Sequence, residues 1–138
     1  MSKAIDFIRA NYEIGSNDKL VIYGYSWGGD NAVELAQTLD KVGINVNYLF
    51  TIDAAKGPVS GGLGLDLVDR EIPSNVEKNI NFYQTNFFSN NKGENRSGIF
   101  SRGNPNVAQD PTKTTIFNSK WNQAFHSYNR QYNSKNSY

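Results

Sequence analysis

Residues 20–29 read Leu20-Val21-Ile22-Tyr23-Gly24-Tyr25-Ser26-Trp27-Gly28-Gly29. The uninterrupted apolar, β-prone run that follows Asn17-Asp18 predicts a buried strand of parallel-sheet character. The glycines then open into Ala32, Leu35, Ala36, Leu39 and Val42, an apolar stripe at helical spacing that ends at Gly43. Asp30 falls at the end of that helix where a negative charge is favoured. Strand, turn and helix therefore follow one another directly, with Ser26 in the turn. Ile44 to Ile52, rich in β-branched and aromatic residues, predicts a second strand that runs into Asp53. A strand–helix–strand crossover makes the two strands parallel neighbours, and it brings Ser26 and Asp53 out on the same edge of the sheet.

Outward from this unit the signals thin. Ile5, Ile8 and Tyr12 recur at helical spacing and predict a helix over residues 2–14, stopped at Gly15. Beyond Asp53, Lys56-Gly57-Pro58-Val59-Ser60-Gly61-Gly62-Leu63-Gly64 predicts a loop. Residues 79–85, with Ile80, Phe82 and Tyr83, read as a third strand, and residues 86–111 as a long surface excursion. Residues 114–117 predict a short last strand, followed by a segment holding Trp121, Phe125, His126 and Tyr128. The Asn- and Tyr-rich tail, residues 130–138, reads as partly disordered. Residues 1–138 make one α/β domain: its predicted architecture is a three-layer α/β/α arrangement around a mostly parallel sheet.

Composition narrows the chemistry more than it names a partner. Fourteen Lys and Arg against 13 Asp and Glu leave a net charge of +1, which gives no electrostatic reason to expect nucleic acid as a partner. The absence of cysteine removes disulfides, thiolate metal sites and a cysteine nucleophile. Lys3, Asp6 and Arg9 interrupt the N-terminal apolar residues, so no signal peptide and a cytoplasmic location are expected. No run approaches the length of a membrane span. Asp66, Asp69 and Glu71 match no calcium-loop spacing, so neither metal nor cofactor is expected. Asn95-Arg96-Ser97 has the form of a glycosylation acceptor but lacks a secretory context.

Gly24-X-Ser26-X-Gly28, lying between an apolar strand and an amphipathic helix, has the context of a nucleophile elbow. Such a turn strains the serine backbone and lifts the hydroxyl clear of the sheet. Gly24 and Gly28 are the positions where a Cβ is expected to obstruct it. The N–H of Trp27 then points at a developing oxyanion beside the positive end of the helix. The alternative is a tight turn with a capping serine. A serine nucleophile needs a base, and the only histidine is His126. The acid that orients the imidazole is expected at Asp53, with Asp66, Asp69 and Asp110 as rivals. Tyr25 and Trp27 flank Ser26 and are expected to contact substrate, whereas Phe87-Phe88 serve equally well as pocket or core.

On these residues the chain resembles an α/β hydrolase of the bacterial lipase or esterase type over about residues 20–128. Gly24-Tyr25-Ser26-Trp27-Gly28-Gly29 is the most specific part. Ile72-Pro73-Ser74-Asn75-Val76, Asn81-Phe82-Tyr83-Gln84 and His126-Ser127 are also similar to segments of lipase-like hydrolases whose acid lies just after the next strand. The resemblance implies attack of Ser26 on an ester or thioester carbonyl of a small-molecule or lipid substrate, with His126 as base and then acid. Its order of serine, acid and histidine matches Ser26, Asp53 and His126. One departure stands out: members of the fold carry several strands before the elbow, and a loop there supplies a second oxyanion donor. Only a helix precedes the elbow here. The chain is thus a fragment, a shortened hydrolase with another donor, or an inactive binding or assembly relative. The same gap leaves the Leu20–Tyr23 strand as an apolar sheet edge, which predicts self-association or a covering N-terminal portion.

Overall fold

The structure, a computed structural model, describes residues 2–56, 69–84, 96–97, 100–102 and 105–121. Its elements are α1 (Ser2–Asn11), β1 (Val21–Tyr25), α2 (Trp27–Asp40), β2 (Val46–Ile52), β3 (Ala55–Lys56), β4 (Glu71–Ile72), β5 (Val76–Gln84), β6 (Arg96–Ser97), β7 (Phe100–Arg102), β8 (Val107–Ala108) and β9 (Thr115–Trp121). They form a small α/β fold. Its centre is a four-stranded sheet in the order β1-β2-β5-β9, with every neighbouring pair parallel. Two ladders stand apart from it: antiparallel β3-β7-β6 and the parallel pair β4-β8. Neither described helix is long and apolar enough to cross a membrane.

The predicted stripe of α2 is what builds the core. Ala32, Val33, Ala36 and Leu39 pack with Ile22 of β1, Leu49 of β2 and Val76 of β5, and Ile8 of α1 joins the same cluster. Leu39 and Leu49 are fully buried, each worth about 1.5–3 kcal/mol of burial. The helix stops where Gly43 takes a φ of +73°, which lets the Ile44 N–H donate back to the Leu39 carbonyl at 3.0 Å. That reversal delivers the chain straight into β2. There the Val46 N–H donates to the Asn75 carbonyl at 2.8 Å, while the Asn75 amide clamps the carbonyls of Ala36 and Ile44 at 3.0 and 2.8 Å.

The expectation of a wholly buried first strand needs correcting. β1 is parallel, but only Ile22 and Gly24 turn inward, and Tyr23 is 80% exposed on the other face. Both described helices feed the core on the inner face. Among the described residues nothing covers the outer face, where Tyr23, Phe50, Ile80 and Phe117 share one register row. The segment read as a long excursion also differs from expectation. It contributes β6, β7 and β8, and the last of these pairs with β4 through Val107 N–H to Arg70 and Gln109 N–H to Ile72, both at 2.9 Å.

Candidate active site

Ser26 sits at the C-terminal end of β1 with φ 56° and ψ −123°, a backbone conformation that costs a residue with a Cβ about 1–3 kcal/mol. Three hydrogen bonds hold it there. Its N–H donates to the Ile52 carbonyl at 2.9 Å, and its own carbonyl accepts from Gly29 and Ala55, each at 2.9 Å. Although Ser26 occupies the cap position of α2, its hydroxyl makes no capping hydrogen bond. The reading as a capping serine therefore loses its physical reason, since a cap works through the side-chain oxygen.

The glycines around Ser26 divide differently from expectation. A Cβ at Gly24 would overlap the Gly28 carbonyl and come within 2.7 Å of the Gly29 nitrogen. At Gly29 it would come within 2.8 Å of the Ala54 Cβ. At Gly28 it would meet nothing within 4 Å among the described residues. Gly24 and Gly29, rather than Gly24 and Gly28, are thus the positions at which close approach demands glycine. Gly24 lets the strand fold back under the helix, and Gly29 lets α2 lie against the chain just after Asp53.

Asp53 is bracketed by the serine. Ser26 is hydrogen-bonded to the residue before it and to the residue two after it, while the Asp53 N–H donates to the Phe82 carbonyl at 2.7 Å. Asp53 itself has a φ of 44° and is 4% exposed. The crossover thus brings Ser26 and Asp53 together at one edge. Trp27 opens α2, and its N–H is one of the first N–H groups for which a helix offers no internal acceptor. Tyr25 and Trp27 stand 48% and 63% exposed on either side of Ser26.

The rival acids described lie elsewhere. Asp110 belongs to the turn that leads into β9, at the opposite edge of the sheet from Ser26. Its carboxylate accepts from the Thr112 hydroxyl at 2.6 Å and the Thr112 N–H at 2.9 Å, with Lys113 at 3.9 Å. The two Thr112 hydrogen bonds, aided by the charge of Lys113, hold its carboxyl below the usual carboxylate range. The Asp69 carboxylate accepts from Gln37, in the third turn of α2, at 2.6 Å. The Asp69 N–H reaches Asp30, itself buried in the first turn, at 3.2 Å. Asp66, Phe87, Phe88 and His126 lie outside the described residues.

One part of the site's surroundings had no forecast. Thr51, Asn79, Asn81 and Asn106 form a buried polar network on the inner face, beneath the end of β2, with the exposed Asn118 at its rim. Thr51 donates to Asn81 at 3.0 Å, the Asn106 amide donates to Thr51 and Asn79 at 3.0 and 2.9 Å, and the Asn81 amide donates to Asn118 at 2.9 Å. The network pins residue 106, which also exchanges backbone hydrogen bonds with the Asn118 side chain at 2.8 and 3.0 Å. The sequence signal for it is Asn79 and Asn81 at alternate strand positions, polar where period two demands apolar.

No protein-family model matches the chain, and no curated protein matches it.

Proposed function

We propose that the chain is a serine hydrolase of the lipase or esterase type, cleaving carboxylic ester or thioester bonds through Ser26, His126 and Asp53. The observation that carries this reading is the strained, uncapped backbone of Ser26 between a parallel strand and a 14-residue helix. Strain of this kind persists where the surroundings over-determine it, and here two tight glycines and three backbone hydrogen bonds do so. In this reading the domain is the C-terminal half of a three-layer α/β-hydrolase sheet.

The Ser26 hydroxyl attacks the acyl carbonyl while His126 takes its proton, and the Trp27 N–H donates to the tetrahedral oxyanion. Collapse expels the alcohol or thiol with the proton from His126. Water activated by the same imidazole then hydrolyses the acyl-enzyme. Asp53 orients the imidazole and stabilises its charged form, and Tyr25 and Trp27 contact the substrate. Chain reach favours His126 in this role: it lies five positions after Trp121, the end of β9, at the same edge as Ser26. Five extended residues span up to about 17 Å, and three strand spacings from β9 to β1 come to about 14 Å.

A second reading, a catalytically silent binding or assembly domain, is favoured by the place of β1, the strand that carries the elbow, at the edge of the sheet among the described strands. A series of acyl esters and thioesters of increasing chain length separates the two. Turnover that Ser26→Ala and His126→Ala abolish, and that Asp53→Asn slows, supports the hydrolase; no turnover by the folded chain supports the binding domain.

A further inference from the structure

Ser26 and Asp53 begin a row that continues across the sheet. Tyr25, Ile52, Phe82 and Ser119 stand in register, so the next position on each strand aligns Ser26, Asp53, Tyr83 and Lys120. The hydrogen bonds from Ser26 N–H to Ile52 and from Asp53 N–H to Phe82 hold the first three together, and Tyr83 and Lys120 are themselves register partners. Side chains alternate along a strand, and Asn81 and Asn118, two positions earlier, meet on the inner face. Tyr83 and Lys120 therefore belong to that face, at the C-terminal edge where open α/β sheets receive ligands. Tyr83 is half-buried and Lys120 exposed. Neither makes a side-chain hydrogen bond or an ion pair among the described residues.

The ladder that leaves Asp53 brings further cations to this edge. Lys56 of β3 and Arg96 of β6 both stand opposite Ser101. The acids beside Ser26, Asp53 and Asp30 in the first turn of α2, are buried at 4% and 1% exposure, so Lys120 carries the exposed charge of the row. We propose that Lys120, with the Tyr83 phenol beside it, recognises a carboxylate on the substrate, so that the preferred ester carries a second, anionic end. The bond cleaved is taken from the hydrolase reading, whereas the anion site rests on the row alone. Three strand spacings separate the Lys120 and Ser26 backbones by about 14 Å. A lysine stem reaches about 6 Å, which leaves roughly 8 Å between the ammonium and the scissile carbonyl, the span of about six carbon–carbon bonds. The ammonium supplies the charge and the phenol O–H a directed donor to the carboxylate oxygens.

Two pairs of esters test this. The monomethyl ester of heptanedioic acid, against the same ester with its free carboxylate replaced by a primary amide, puts the anion on the acyl side. The 6-acetoxyhexanoate anion against its amide puts it on the alcohol side. For at least one pair, kcat/KM is expected to favour the carboxylate form about tenfold, and less so as salt is raised. Lys120→Met should bring that ratio near one, Lys120→Arg should retain it and Lys120→Glu should invert it. A ratio near one for both pairs in wild type, or a preference that survives Lys120→Met, would overturn the proposal. Should no ester be turned over, the hydrolase reading fails by itself, and calorimetric titration with heptanedioate decides the anion site. Saturable binding that Lys120→Met weakens about tenfold supports the site. No binding by the folded chain, or binding indifferent to the substitution, overturns it.

Discussion

Replacing Ser26 with glycine should make the protein more stable. At φ 56° and ψ −123° a residue with a Cβ is held about 1–3 kcal/mol above an unstrained one, a cost that glycine escapes. Glycine loses about 0.4–1 kcal/mol of this gain through the greater freedom of the unfolded chain. No capping hydrogen bond is sacrificed, because the hydroxyl makes none. The net gain is about 1 kcal/mol, and with an unfolding entropy of roughly 2.1 cal/mol/K per residue it raises the Tm by about 3 °C. Ser26→Ala is the informative comparison. It removes the same oxygen but keeps the Cβ, so it should leave Tm near wild type. Thermal and urea unfolding of the two variants side by side isolates the backbone term. A glycine variant no more stable than the alanine variant would refute the strained elbow, and with it the structural basis for a nucleophile at this position.

Gly24→Ala, forced against the Gly28 carbonyl, should cost more than 3 kcal/mol or prevent folding, whereas Gly28→Ala should be neutral or gain up to about 1 kcal/mol, as measured by urea unfolding. Asn106→Ala strips partners from the buried Thr51 hydroxyl and Asn79 carbonyl oxygen and should lower the urea-derived stability by about 1–3 kcal/mol. The depressed carboxyl of Asp110 contributes stability that is present above its unfolded pKa and is lost as pH falls through its folded value. Urea midpoints from pH 6 down to pH 2 should therefore show wild type above Asp110→Ala at neutral pH and the two converging in acid; a gap that widens in acid would reverse the sign.

The unit from residue 20 to residue 53 was legible because its two periodicities are distinct: a continuous β-prone run, then a stripe at helical spacing, then a second β-prone run. What could not be read was the burial of each strand. Leu20-Val21-Ile22-Tyr23 is apolar on both faces, so the pattern looks the same whether one face or two are covered, and only the placement of both helices on the inner side reveals the difference. The glycines illustrate a second limit. Gly28 and Gly29 are adjacent and chemically identical, and the demand for glycine at the second arises from Ala54, 25 positions further on. The pairing of β4 with β8 and the Thr51–Asn106 hydrogen bond are likewise set by partners more than 30 residues apart. Local propensity carries no record of either. Asn79 and Asn81 did carry one, as polar residues at inward-facing strand positions.

The central claim, that Ser26 is an activated nucleophile, is tested most directly by treating the folded chain with a fluorophosphonate probe and locating the adduct by peptide mass spectrometry. Modification of Ser26 alone, abolished by Ser26→Ala and by His126→Ala, is the predicted result. An unmodified wild-type chain, or an adduct that survives Ser26→Ala, would contradict it.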